Sequence, residues 1–554
     1  MENFSITALV SKLCPLDISE FPLETDLDLP YQRSITIDVI RTRSNTLTPE
    51  EKTLLEQLLT FYCKTEMVSY KQGMNEILAP FLLLNRQNIP LHVCYICFKN
   101  FVAKFIPTLF VDDSFKPLNG LFIITKLILK YHLPDISTCF NNNEITPDIY
   151  MTTWYVTMFS SKIKDLNLLY IFWQNLIESD DILYISYFGI ALLDLFKQEI
   201  RKRESLNLPN VFKKICIENF ETLQTVLRNT EKIKANTPLT AEIILKKYNM
   251  FCLESTDAFV EALKGFICLL ILPKEIITQT YPHNMVCNCS DPKTCKIKKL
   301  NYILIDCRPN TEHKQGYFLN SFLLSKSTRK NEEKLLNYPK SFVSYTKNTH
   351  IALMGSNSEE EEGSVVQRLF NSFIQHEFPY VSIVDGGYPA CHRFVMQHNL
   401  EIKSHKTLNC LACGMSEKTI VESTLNKFFL VGGMHEKPVD KIVIDPIDSE
   451  KIFRCSLDET QSIEDNSLGL IVTSSQLIVY NILRSKPKTV YEISKLKKIS
   501  SHRNKDDVLY FNFSGDQTKQ VFILKPTEVK EFLMKIRKSY QKFKHTDRLE
   551  KSNS

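Results

Sequence analysis

Two short strings near the start of the chain hold residues whose types and spacing could do chemistry. They are Ile35-Thr-Ile-Asp38-Val-Ile-Arg41 and Tyr70-Lys-Gln72-Gly73-Met74-Asn75. An arginine offers a fixed, permanently charged fork to charge developing on a transferring phosphoryl group. A glutamine amide both donates and accepts, so it can orient an attacking water. Together, Arg41 and Gln72 could complete the active site of a bound GTPase, where an arginine supplied in trans is worth roughly 10³–10⁵ in rate. Asp38 lies three residues before Arg41, and on a helix the two are surface neighbours, so the carboxylate can hold the guanidinium in one pose. Gly73 would let a partner's backbone come close. The same residues also fit a solvated helix pair worth well under ~1 kcal/mol, followed by an ordinary helix entry.

The elements that must position these groups read as helices. Pro49-Glu-Glu51 opens one, with Thr48 as its N-cap and Leu54, Leu55, Leu58, Leu59 and Tyr62 at helical spacing. Residues 118–133, 147–159 and 166–177 repeat the habit, and the spacing predicts an all-α domain over residues 1–275. The apolar run 182–193 is too short to cross a membrane and reads as a buried helix, with Asp180-Asp181 as its cap. From about residue 276 the pattern changes. Tyr302–Asp306, His350–Met354 and Tyr380–Val384 are short apolar runs, and a helical stretch (Ser364–His376) separates the last two. That order predicts βαβ units and a parallel sheet over 276–415. Beyond it, β-branched and aromatic runs followed by an amphipathic helix at 528–543 predict a C-terminal β-barrel with a capping helix, of PH-like type, over 416–545. The polar tail 546–554 is expected to be disordered.

With 554 residues, three or four domains are expected. Net charge is +5, with no basic signature for nucleic acid, and no nucleic-acid partner is expected. Sixteen cysteines are scattered through the chain, and no signal-peptide pattern opens it. A reduced, cytoplasmic setting with mostly buried thiols is therefore expected. Two cysteine groups flank the parallel-sheet region: Cys287, Cys289 and Cys295 before it, Cys410-x₂-Cys413 after it. They could meet in one structural zinc site, with free thiols as the alternative; no other cofactor is expected. Lys495, Lys497, Lys498, His502, Arg503 and Lys505 form a basic segment in the last domain. It fits a phosphoinositide membrane surface and a merely solvated loop about equally.

The two opening strings resemble the I-x-x-D-x-x-R and Y-x-Q-G-M motifs of the TBC domain of Rab GTPase-activating proteins. Trp154–Phe159 and Tyr170–Trp173 are similar to later segments of that family. The resemblance implies that Arg41 and Gln72 are both supplied in trans to a Rab. An arginine–tryptophan opening before the finger helix is missing, and Gln174 stands where the family has aspartate after Trp173. The middle region resembles a rhodanese domain, with Asp306-Cys-Arg308-Pro309 and Gly316 as its D-x-R opening and Asp385-Gly-Gly387 as its late turn. An active rhodanese has a cysteine after the central strand, where this chain has Met354-Gly355-Ser356. A thioether cannot act as the thiolate nucleophile, and Cys307 ends another strand. Glu359–Glu362, at the start of the next helix, would repel an anionic substrate, so no sulfurtransferase activity is expected.

The domain order resembles a branch of the TBC family whose members bridge endosome-derived vesicles to golgin tethers at the trans-Golgi network. A second family that joins TBC and rhodanese domains also carries a kinase-like domain, which is not expected in these 554 residues. The resemblance to the first branch implies a peripheral adaptor in endosome-to-Golgi transport. Its N-terminal half would engage a golgin and its C-terminal half the WASH complex. Vertebrate members of that branch have lost the fingers, whereas this chain keeps both. Rab GTPase activation is therefore the alternative to a purely bridging role.

Overall fold

The computed structural model describes the chain apart from residues 1–4, 15–19, 21, 24, 108, 111–115, 182, 203–207, 248–262, 264, 281–299, 346–348, 357–361, 408–409, 415–452, 457–467, 474–475, 482–485, 503–504, 515–519, 538–539 and 541–554. It falls into two units, Met1–His435 and Glu436–Ser554.

The first unit begins as a stack of helices. The helix Pro49–Glu66 starts in a capping box: Thr48 Oγ1 accepts from the Glu51 amide, and Glu51 accepts from the Thr48 amide. The apolar run becomes the helix Tyr184–Leu195, buried along almost its whole length. Its entry is held by Asp181, which accepts from the Leu183 amide at 3.0 Å. Asp180, expected to share that cap, instead closes the preceding helix in the left-handed region. The helix expected to reach Phe159 stops at Val156, because Met158 and Phe159 both take positive φ. That reversal aims the Met158 carbonyl at the Trp173 indole N–H, 2.9 Å away, while Trp173 stacks on Phe81. Among the described residues no helix is long and apolar enough to cross a membrane.

A five-stranded parallel sheet follows, made of β1 (Leu270–Ile271), β2 (Tyr302–Asp306), β3 (Ser321–Leu323), β4 (His350–Met354) and β5 (Val381–Val384), in the order β1-β5-β4-β2-β3. β1 lies before the boundary expected at residue 275. It is too short to show a period in the sequence, yet it pairs with β5. The helices Glu362–Gln375 and Gly387–Gln397 follow β4 and β5.

The helical part and the sheet share one apolar core, in which Leu129 and Tyr131 join Phe370, Phe373 and Val381. Tyr131 fixes the junction. Its carbonyl accepts from the Tyr380 amide at 2.7 Å, and its hydroxyl bonds the Nδ1 of His350 on β4. Lys130 donates to the Ile267 carbonyl, and Arg201 reaches both Asp135 and Glu377.

In the second unit β6 (Phe453–Ser456), β7 (Leu468–Val472), β8 (Gln476–Asn481), β9 (Lys486–Glu492), β10 (Leu496–His502), β11 (Lys505–Phe513) and β12 (Gln520–Leu524) form an antiparallel sheet, in the order β10-β11-β12-β6-β7-β8-β9. The sheet curls: Tyr491 on the β9 edge stacks on Phe513 and bonds Gln520 near the opposite edge. Phe532, on the helix 526–537, packs against Phe453 and Phe511 and fills the concave side.

Burial at the junction pushes the His350 imidazole down to about 4. In the unfolded chain it returns to the ordinary histidine value near 6.5. Stability is therefore full above about pH 6.5 and falls as pH drops toward 4, because only the unfolded state takes up the proton. We expect the thermal midpoint of the first unit to fall between pH 7.5 and 5. His350→Asn, which keeps an amide near the Nδ1 position, should flatten that slope. Parallel pH profiles of wild type and variant by differential scanning calorimetry check it.

Candidate functional site

Arg41 is the last residue of the helix Gln32–Arg41. Its side chain is 55% exposed and pairs with Asp38, one turn back, whose carboxylate is only 9% exposed. A buried carboxylate must be satisfied, and Asp38 is held from the second string: Tyr70 donates to its Oδ2 at 2.7 Å. Burial, then the bond to Asp38, pushes the Tyr70 phenol far up, so it stays a neutral donor. Asn75 closes the network. Its Oδ1 accepts from the Gly73 amide at 2.9 Å, and its Nδ2 donates to Thr42 Oγ1 at 2.7 Å. Thr42 in turn donates to the Asp38 carbonyl at 2.6 Å. Gln72 sits exposed in the turn between these anchors.

The two strings therefore lock to each other through buried polar bonds and present Arg41 and Gln72 outward. Asp38 and Arg41 pair as the spacing predicted. Tyr70, Thr42 and Asn75 were not assigned roles from sequence. The motif contained two of them, but only the folded pairing shows what they touch. Arg43 is excluded as the outward group. It is held in αL backbone and donates to the Lys164 carbonyl and to Ser160 Oγ.

Gly73 does not have the role expected of it. It is buried, has φ +117°, and a Cβ there would lie 2.3 Å from Val156 Cγ1. Glycine is needed because the turn packs on the neighbouring helix, not because a partner approaches.

In the parallel-sheet part, the D-x-R string is a buried lock. Asp306 Oδ1 accepts from the Arg308 amide and Nε at 3.0 Å, and Arg308 Nη2 donates to Asp306 Oδ2 at 2.7 Å and to the Gly316 carbonyl at 2.9 Å. The guanidinium lies 3.4 Å from the Tyr388 ring centroid. The residues that end β4 are held by the chain around them. Met354 is fully buried, its carbonyl accepts from the Cys307 amide, and Gly355 accepts from the Tyr388 amide. Ser356 donates to Glu312 Oε2 at 2.7 Å. Cys307 is itself fully buried. The glutamates expected to repel an anion, Glu359–Glu361, lie outside the described residues, and Glu362 is described only as the start of a helix.

The two cysteine groups expected to meet differ in the structure. Cys287, Cys289 and Cys295 lie outside the described residues. Cys410 and Cys413 do come together, but with two histidines, His392 and His405. The four ligand atoms lie within 4.8 Å of one another. Burial, with His405 and Arg308 nearby, pushes His392 down to about 4 and leaves its imidazole neutral. The run His405-x₄-Cys410-x₂-Cys413 was visible in the sequence. The partnership of His392 was not, because it depends on the chain folding back across the helix Gly387–Gln397.

The basic segment lies on β10 and β11. A bulge between Leu496 and Lys498 leaves Lys497 and Lys498 both exposed, and Lys495 pairs with Glu492. Lys505 is exposed on β11; Arg503 lies outside the described residues, as does the side chain of His502. Lysines on an edge strand also guard against edge-to-edge pairing.

Fold and site define a helical domain that shares its core with a parallel α/β sheet. Comparison with known proteins agrees: residues 18–201 match the Rab-GTPase-TBC domain and residues 295–393 the rhodanese-like domain. The human TBC domain-containing protein kinase-like protein is 26% identical over 185 residues, covering 33% of this chain and 20% of that protein. Human TBC1 domain family member 14 is 25% identical over 195 residues, 34% of this chain and 27% of that protein. The chain thus matches about a fifth to a quarter of the length of these relatives. Among solved structures, the Chlamydomonas flagellar RabGAP TBC domain aligns with a TM-score of 0.32 at 15% identity, covering 37% of this chain and 68% of that one. The chain contains a TBC domain and a rhodanese-like domain.

Breaking the Asp306–Arg308 pair leaves a buried, uncompensated guanidinium. Asp306→Asn should cost the first unit ~3–5 kcal/mol in urea unfolding, and the apolar pair Asp306→Leu with Arg308→Met should recover most of it.

Proposed function

We propose that this protein acts on a Rab GTPase in membrane traffic, its TBC domain completing the Rab active site with Arg41 and Gln72. The observation that carries this is the locked pair of strings. Arg41 is exposed yet held by Asp38, whose carboxylate accepts from Tyr70 and whose backbone carbonyl accepts from Thr42, itself bonded by Asn75. A preorganised cation loses little freedom when it meets the phosphoryl group, which suits transition-state stabilisation. Ile37 and Ile40, on the same helix, are 51% and 60% exposed and give a partner apolar contact beside the arginine. Arg41 would neutralise charge on the leaving phosphate, and Gln72 would orient the attacking water.

A second reading has its own support. The residue that ends β4, Met354, is fully buried, and the sheet shares a core with the TBC helices. Such a fused module suits docking better than sulfur transfer. The domain order resembles that of TBC domain family member 23. On this reading the chain bridges endosome-derived vesicles to golgins at the trans-Golgi network, with the WASH complex as the vesicle-side partner. The exposed lysines of β10 would add contact with anionic lipid.

Purified full chain assayed against a Rab panel tests the first reading. At least one Rab should be accelerated about 10³-fold or more, with Arg41→Ala and Gln72→Ala each losing most of that acceleration. Acceleration of no Rab by more than a few-fold overturns it. Relocating the chain to mitochondria tests the second. Recruitment of golgins and vesicles that persists in Arg41→Ala supports bridging, and no recruitment overturns it.

A further inference from the structure

The cluster of His392, His405, Cys410 and Cys413 has no part in either reading above. His392 projects from the helix Gly387–Gln397 and is buried. His405, Cys410 and Cys413 come from the strap that follows, which is held to the segment before β3 by the Tyr317–Lys403 bridge and by the bond from the Lys406 amide to the Gln315 carbonyl.

The distances within the cluster are informative. His392 Nε2 lies 3.0 Å from His405 Nε2, 3.6 Å from Cys410 Sγ and 3.5 Å from Cys413 Sγ, and Cys413 Sγ lies 3.3 Å from His405 Nε2. One imidazole nitrogen has either a single N–H or a single lone pair, so it can satisfy one of three neighbours by hydrogen bonding. Four ligand atoms converging on one point is the geometry of coordination. A tetrahedral ion with Zn–S of about 2.3 Å and Zn–N of about 2.0–2.1 Å places nitrogen and sulfur about 3.6 Å apart and two nitrogens about 3.4 Å apart. These four spacings match to within a few tenths of an ångström, and all pairs of the four atoms lie within 4.8 Å.

We propose that His392, His405, Cys410 and Cys413 form a closed structural Zn²⁺ site of the Cys₂His₂ type. Four protein ligands leave no open position, so the ion has a structural role and no catalytic one. Two thiolates balance its charge. The site clamps the strap onto the helix that carries Tyr388, the ring on which Arg308 lies, and His405 also borders Gly316, whose carbonyl Arg308 holds. Metal binding thereby supports the buried Asp306–Arg308 lock. Cys287, Cys289 and Cys295 are not required as ligands.

Metal analysis of the full chain, purified without chelator, tests this. Wild type should carry about one zinc per chain. The double variant His405→Ala with Cys413→Ser should lose at least nine-tenths of it, and the triple variant Cys287→Ser, Cys289→Ser, Cys295→Ser should keep it. Replacement by Co²⁺ in wild type should give the visible d–d bands of a tetrahedral site with a near-ultraviolet thiolate band, and this readout decides even if the double variant does not fold. Zinc-free wild type that also takes up no Co²⁺, full zinc in a folded double variant, or loss of zinc from a folded triple variant overturns the site.

Discussion

A buried hydroxyl at the junction of two folds constrains the first unit. Tyr131 ends up inside a core that helices and sheet build together, and its phenol must find a partner there. The partner is His350 on β4, while the Tyr131 carbonyl takes the amide of Tyr380 just before β5. Neither half could satisfy these groups alone, so the TBC helices and the rhodanese-like sheet behave as one body. A central parallel sheet has to be covered on both faces, and here a helical domain supplies part of the cover.

The same physics produces two arginines with opposite fates. Both pair with a buried carboxylate: Arg41 with Asp38 and Arg308 with Asp306. Asp306 and Arg308 sit two residues apart at the end of a buried strand, under Tyr388, so both charges are enclosed and the pair is a lock. Asp38 and Arg41 sit one turn apart at a helix end. There the carboxylate turns inward to Tyr70 while the guanidinium faces out. A buried anchor with an exposed cation keeps a charge at the surface in one pose. A buried pair suits holding a loop.

Much of this was legible in the chain. Helical spacing gave the α-domain, short apolar runs gave the parallel strands, and Thr48 with Glu51 gave a helix start. Asp38 and Arg41 could be paired from spacing alone because helix geometry is local. What could not be read depended on distant contacts. The role of Gly73 turns on Val156, more than eighty residues away. β1 has two residues and acquires its identity only by pairing with β5. His392 joins Cys410 and Cys413 only because the strap folds back over a helix.

The sequence by itself determined which residues could do chemistry and which could not. Arg41 and Gln72 are of the types needed, and a methionine at 354 has no thiolate to offer. Those properties belong to side-chain chemistry and survive any fold. Tertiary structure decided how the groups are used. It alone placed Asp38 under Tyr70, turned Arg41 outward and Arg43 inward, and gathered two histidines and two cysteines at one point. Local spacing fixes neighbours one turn away, whereas burial and long-range pairing decide which charges are enclosed and which are offered to a partner.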